Sequence, residues 1–125
     1  MNASSADLPR LFDRALLRDR QSRAARQGAE AFLLDRVAED MAERQQVVLR
    51  EFNDGIDLGT PGDQVRAALT RNVRQLRAAG LPVSDTEPLA LASASLDLVV
   101  SALALQFVND LPGVLAQIRR ALKPD

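Results

Sequence analysis

Hydrophobic positions recur first at three- and four-residue steps, and only later in short unbroken runs. Leu8, Leu11, Phe12, Ala15 and Leu16 form one stripe, with arginines on the rest of the circumference, so the spacing predicts a helix over 8–26. Gln27-Gly28 breaks it. A second stripe of Leu33, Val37, Met41, Val48 and Phe52 predicts a helix over 29–52, interrupted at Arg44-Gln45. Asn53-Asp54-Gly55 reads as a turn and Ile56-Asp57-Leu58 as a short buried strand. A third helix is expected over 60–79, with Val65, Ala68, Leu69, Val73 and Leu76 on one face and Gly80 ending it. Pro82-Val83-Ser84 reads as a minimal strand before a loop over 85–95. Residues 96–102 (Leu-Asp-Leu-Val-Val-Ser-Ala) are apolar enough for a strand covered on both faces. The last helix takes Leu111, Val114, Leu115, Ile118 and Leu122 as its stripe, Asp110 as its cap, Pro112 in its first turn and Lys123-Pro124 as its stop.

Strand, helix, strand, strand, helix after residue 53 predicts an α/β fold. N-terminal helices, an arm over 1–52, lead into a partial Rossmann-like parallel sheet with flanking helices over 53–125. The last helix would normally feed a further parallel strand, so the reading is of a truncated domain.

Composition narrows the chemistry. The 125 residues contain no cysteine and no histidine, which removes disulfides, thiolate nucleophiles, histidine triads and the usual zinc sites. This suits a reducing compartment, and a cytoplasmic location is the expectation. The net charge of −1 gives no whole-chain case for nucleic acid, and no apolar run is long enough to span a membrane. The charge is uneven: Arg10, Arg14, Arg18, Arg20, Arg23 and Arg26 crowd the first helix against only Asp13 and Asp19, while residues 27–63 are acidic. Such arginines ordinarily form a solvated face; functionally they would make a lid or dock an acidic partner.

The stretch Ile56-Asp57-Leu58-Gly59-Thr60-Pro61-Gly62-Asp63 supports two readings. Thr60 as cap, Pro61 at the first helical position and Asp63 at the third make a helix start that needs no ligand. Alternatively, Gly59 lets the backbone turn without a side chain in the way, and a helix beginning at Pro61 aims free N–H groups at the crevice above the strand ends. Ligands of open parallel sheets bind in that crevice. Asp57 would bind a ligand ammonium there, or only order the turn.

Asp57-Leu58-Gly59, the segment from Asp85-Thr86-Glu87-Pro88-Leu89 through Ser95-Leu96-Asp97-Leu98-Val99-Val100-Ser101, and Ile118-Arg119-Arg120-Ala121-Leu122-Lys123-Pro124 together resemble the class I S-adenosylmethionine-dependent methyltransferases. Phe12-Asp13-Arg14-Ala15-Leu16-Leu17-Arg18 with Arg23-Ala24-Ala25 is similar to the arm of bacterial relatives of mitochondrial complex I assembly factor 5. The malonyl-carrier-protein methyltransferase of biotin synthesis is a more distant look-alike. The resemblance implies an enzyme that uses S-adenosylmethionine to methylate an unidentified acceptor, a protein among the candidates, with a respiratory-complex subunit as a candidate partner. It places cofactor contacts at Asp57, Gly59, Asp85, Glu87 and Ser101, and gives Asp97 a structural role. The alternative is a non-catalytic, degenerate relative acting as a protein-binding assembly factor. Methyl transfer needs mainly alignment and exclusion of water around an already activated sulfonium, so no catalytic side chain can be named.

The sequence also departs from the family pattern. The family's Asp-Leu-Gly-x-Gly-x-Gly loop has Pro61 and Asp63 where its second and third glycines belong. The acid that ends the family's second strand and grips the ribose hydroxyls has no clear counterpart; Leu76-Arg77-Ala78-Ala79-Gly80 stands about where it would fall. The interval from Gly59 to Asp85 is short, as if a strand–helix unit were missing.

Overall fold

The structure, a computed structural model, describes residues 9–28, 32–82 and 87–124. At its centre lies strand β1 (Phe52–Leu58), paired in parallel with β2 (Val73–Ala79) on one side and with β3 (Leu98–Val100) on the other. The helices are α1 (Arg14–Arg26), α2 (Phe32–Val47), α3 (Gln64–Leu69) and α4 (Leu111–Ala121), with a 3-10 turn at Leu105–Phe107. The expected partial parallel α/β sheet is present, and Ile56 lies opposite Val99 as that fold requires.

Several elements differ from the sequence reading. The helix expected over 60–79 is two elements: it stops at Leu69, and residues 73–79 form β2. Val65 and Leu69 are buried from the helix and Val73 from the strand, in one cluster, with Leu76 packed on its edge. Three-residue spacing was therefore produced by two elements meeting the same core, and Gly80 ends a strand, not a helix. Asn53-Asp54-Gly55 is part of β1 rather than a turn, because β2 packs closely over it. A Cβ at Gly55 would come within 3.0 Å of Leu76 Cδ1 and 3.1 Å of Val73 Cγ1. The second helix ends at Val47, so Val48 and Phe52 lie outside its stripe. Its inner face instead carries Val37, Ala38, Met41 and Ala42, against α3.

The first helix starts at Arg14, capped by Asp13, whose carboxylate accepts from the Leu16 amide. Leu11 and Leu16 are exposed, so the anticipated stripe is not its buried face. Leu8, Val83 and Ser84 lie outside the described residues, and Pro82 is irregular. Regular pairing in β3 covers only Leu98–Val100, although Leu96 forms a parallel bridge to Leu122. The last helix is as expected: Asp110 accepts from the Gly113 amide, with Pro112 in the first turn.

The core forms two clusters on the sheet. Ala38, Val65, Leu69, Val73, Val100 and Ala102 make one, and Ile56, Leu58, Leu89, Leu96 and Ala121 the other. A fully buried Val or Leu contributes about 1.5–3 kcal/mol. At the amino ends of the strands, Asp97 fastens β3 to β1. Its Oδ2 accepts from the Asn53 and Asp54 amides at 3.0 and 3.1 Å, and its own amide donates to the Asp54 carbonyl at 2.8 Å. Lys123 Nζ stands 3.5 Å from Asp97 Oδ1.

The Asp54 and Asn53 amides, in that order, hold the Asp97 carboxyl below its ordinary value of 3.8, against a smaller opposing effect of desolvation and with help from Lys123. A depressed folded-state pKa gives stability that is present above the unfolded value and is lost as pH falls through the folded one. Asp97→Asn should therefore lower the urea midpoint at neutral pH. The difference from wild type should shrink as pH falls below 3.8, which a series of urea melts at stepped pH would read.

Candidate functional site

The carboxyl ends of the three strands, with the loops leaving them, form the crevice where a ligand of such a sheet would lie. Asp57 sits one residue before the end of β1, and its side chain is 0% exposed. Such a carboxylate needs a partner, and α3 supplies one: Arg66 NH1 lies 3.1 Å from Asp57 Oδ2. The other oxygen, Oδ1, is buried with no hydrogen-bond partner. Arg66 was not singled out from the sequence, because nothing in a nine-residue separation across a turn announces the pairing.

Gly59 follows at φ +73°, in the left-handed region that favours glycine, and its amide donates to the Ala79 carbonyl at 2.8 Å. Thr60 is not the cap of α3; that position falls to Asp63, which makes no side-chain cap bond. Thr60 Oγ1 instead accepts from the Ala102 amide at 2.9 Å, and Ser101 Oγ donates to the Leu58 carbonyl at 2.7 Å. These two hydroxyls tie the exit of β3 to the exit of β1. Just beyond them Leu103 is held at φ 54°, a conformation that costs a branched residue about 1–3 kcal/mol.

The first helix lies over this crevice. Asn109 Oδ1 accepts from the Leu11 and Phe12 amides at 2.8 and 2.9 Å, its Nδ2 donates to the Phe12 carbonyl, and the Phe12 and Phe107 rings meet edge to face at 5.8 Å. Arg14 donates to the Pro82 carbonyl at 3.0 Å. Between arm and sheet remains a cavity of about 170 Å³ lined by Arg14, Leu17, Arg18, Gln21, Gly59 and Leu81, among others. The Asn109 clamp, which spans 97 residues to Phe12, has no local signature in the chain.

Of the residues expected at a cofactor, Asp57, Gly59 and Ser101 come together at the strand ends. Glu87 is exposed beside a second cavity of about 30 Å³ that Arg14 and Leu81 also line. Asp85 lies outside the described residues. No acid follows β2 at Gly80, Leu81 or Pro82.

Comparison with known proteins decides the family: the methyltransferase domain matches residues 22–125. The chain belongs to the class I S-adenosylmethionine-dependent methyltransferase family. It is 33% identical over 136 positions to the human mitochondrial arginine-hydroxylase NDUFAF5, covering 92% of this chain and 39% of that protein. It is 32% identical over 144 positions to the malonyl-[acyl-carrier protein] O-methyltransferase of Methylovorus sp. (strain MP688), covering 92% and 49%. A 49-residue stretch is 51% identical to the enzyme of the same name from Laribacter hongkongensis (strain HLHK9), covering 39% of this chain and 16% of that one. No solved structure matches. The chain thus spans less than half the length of these relatives. Alignments of 136 and 144 positions also exceed its own 125 residues, so it is shorter than they are inside the matched region.

The family generally uses S-adenosylmethionine, and the crevice has the backbone frame for it but not the room. A Cβ at Gly59 would meet Leu81 Cδ1 at 3.0 Å and the Ala104 methyl at 3.2 Å, so both stand against the turn a nucleotide would approach. At Gly62, φ +68°, a Cβ would collide with Gln64 Oε1, itself buried without a partner. Cofactor pockets ordinarily need about 300 Å³ or more, so among the described residues the cavity is too small for the group while Leu81 and Gln64 stand where they do.

Removing the Arg66 guanidinium would leave the Asp57 carboxylate buried and uncompensated. Because Arg66 is partly exposed, Arg66→Met is expected to cost near the lower end of the usual range, about 3 kcal/mol. Asp57→Asn with Arg66→Met should recover much of that loss, and a double-mutant cycle by chemical denaturation would measure the coupling.

Proposed function

We propose that the chain carries the cofactor end of an S-adenosylmethionine-dependent methyltransferase, whose ligand enters the crevice above Asp57 and Gly59. The reading is carried by the positive-φ glycine turn at the carboxyl end of the central parallel strand, beside a buried carboxylate with one unpartnered oxygen. Leu81 and Gln64 must withdraw before a ligand of that size is seated. Glu87, Ser101 and, outside the described residues, Asp85 complete the proposed contacts.

The methyl acceptor is unidentified. The name of the malonyl-[acyl-carrier protein] relative supports an acceptor presented on a protein, and the assembly-factor resemblance supports a respiratory-complex subunit as partner. Among the described residues no helix is long and apolar enough to cross a membrane. A cytoplasmic location is part of the proposal, supported by the absence of cysteine. The second reading, a non-catalytic protein-binding relative, draws on one observation: the side chains that fill the seat. The methyltransferase name of the Methylovorus relative weighs against it.

Isothermal calorimetry with S-adenosylhomocysteine separates the two. Saturable binding is expected, about tenfold tighter in Leu81→Ala, which empties the seat, and about tenfold weaker in Asp57→Asn. Absence of heat from both wild type and Leu81→Ala would sink the methyltransferase reading and leave the protein-binding one.

A further inference from the structure

At the opposite end of the sheet from the crevice, below the amino ends of β1 and β2, lies an open groove of about 730 Å³. Its lining includes Gln45, Val48, Leu49, Phe52, Arg71 and Arg74. Three features of it are unusual together. The first is an apolar run on the surface: Val48 is 51% and Leu49 100% exposed, in the connection between α2 and β1. The second is positive charge. Arg71 and Arg74 are exposed and make no ion pair among the described residues, while Arg50 lies over the Phe52 ring at 5.4 Å; Glu51 is the acid lining the groove. The third is Gln45, whose Nε2 and Oε1 are both buried with no hydrogen-bond partner. Being buried, that carboxamide must swing into the groove to be satisfied, and there a peptide unit answers its donors and its acceptor at once.

The neighbouring backbone offers the same chemistry. Among the described residues strand β2 pairs with β1 on one side only, and Arg74, Gln75, Arg77 and Ala78 are exposed along it. An edge strand with a free row of backbone groups takes an added extended segment, with alternate side chains filling adjacent pockets. A second copy of β2 is a poor occupant, because Arg74 and Arg77 would be brought against their own like charges.

We infer that this groove and the β2 edge bind an extended, acidic segment of a partner protein, with aliphatic side chains on Val48 and Leu49, carboxylates on Arg71 and Arg74, and a backbone amide on Gln45. The site is separate from the crevice and does not depend on how the crevice is read.

Selection of a phage-displayed library of random peptides on the folded chain tests it. Enriched peptides should alternate aliphatic residues with Asp or Glu. Synthesised with a fluorescein label, they should bind saturably in an anisotropy titration and weaken as salt is raised. Leu49→Asp, Arg71→Glu and Gln45→Leu should each weaken them about tenfold. Leu49 and Arg71 are exposed, so those two variants keep the fold, which circular dichroism checks even if Gln45→Leu disturbs it. No enrichment over a blank surface, enrichment of basic peptides, or unchanged affinity in Leu49→Asp and Arg71→Glu would overturn the assignment. So would sedimentation equilibrium showing a dimer that Leu49→Asp dissociates, which would give the groove to a second copy.

Discussion

The burial of one carboxylate at the end of the central strand constrains most of this structure. Gly55, Ile56, Asp57 and Leu58 are covered by strands on both sides and by helices on the faces, so Asp57 has no water to solvate it. A charge in that position must be met by an opposite charge or by a ligand. Arg66 meets one oxygen and nothing meets the other. That half-satisfied state orients α3, fixes the direction of the loop from Gly59 to Asp63, and leaves an acceptor at the strand end where a ligand of a parallel sheet is expected.

The two ends of the sheet are tied by different means. At the amino ends, Asp97 collects the Asn53 and Asp54 amides and the Lys123 ammonium. At the carboxyl ends, neutral hydroxyls do the work: Ser101 on the Leu58 carbonyl and Thr60 on the Ala102 amide. Ser101 and Thr60 thus brace the frame around the crevice, and the left-handed Leu103 sits just outside that brace. The arm is held by Asn109, by the Phe12–Phe107 ring pair and by the Arg14 bond to the Pro82 carbonyl, and it narrows the crevice from above.

The crevice has the framework of a site without the room for one. Here the turn glycine, the strand-end carboxylate and the strand order of a methyltransferase are in place, yet Leu81, Ala104 and Gln64 stand against the glycines. The matched region is shorter than in the relatives, and among the described residues β2 has a strand on one flank only. The crevice is narrow at one end of the sheet, while an arginine-rimmed groove faces solvent at the other.

The family, the strand around Ile56–Leu58, the last helix with its Asp110 cap and the structural part of Asp97 were legible before folding, because each rests on short-range pattern: strand apolarity, helix stripe, cap chemistry, motif. Residue order misled elsewhere. It misjudged residues 60–79, where Val65, Leu69, Val73 and Leu76 keep a helical rhythm only because a short helix and a strand contact one core. It also read Asn53-Asp54-Gly55 by turn propensity, which pairing on both sides overrode. The pairing of Arg66 with Asp57, the hold of Asn109 on the arm and the packing of Leu81 above Gly59 come from the folded chain. Those are contacts between residues far apart in the chain or across a turn, and local spacing carries no term for them.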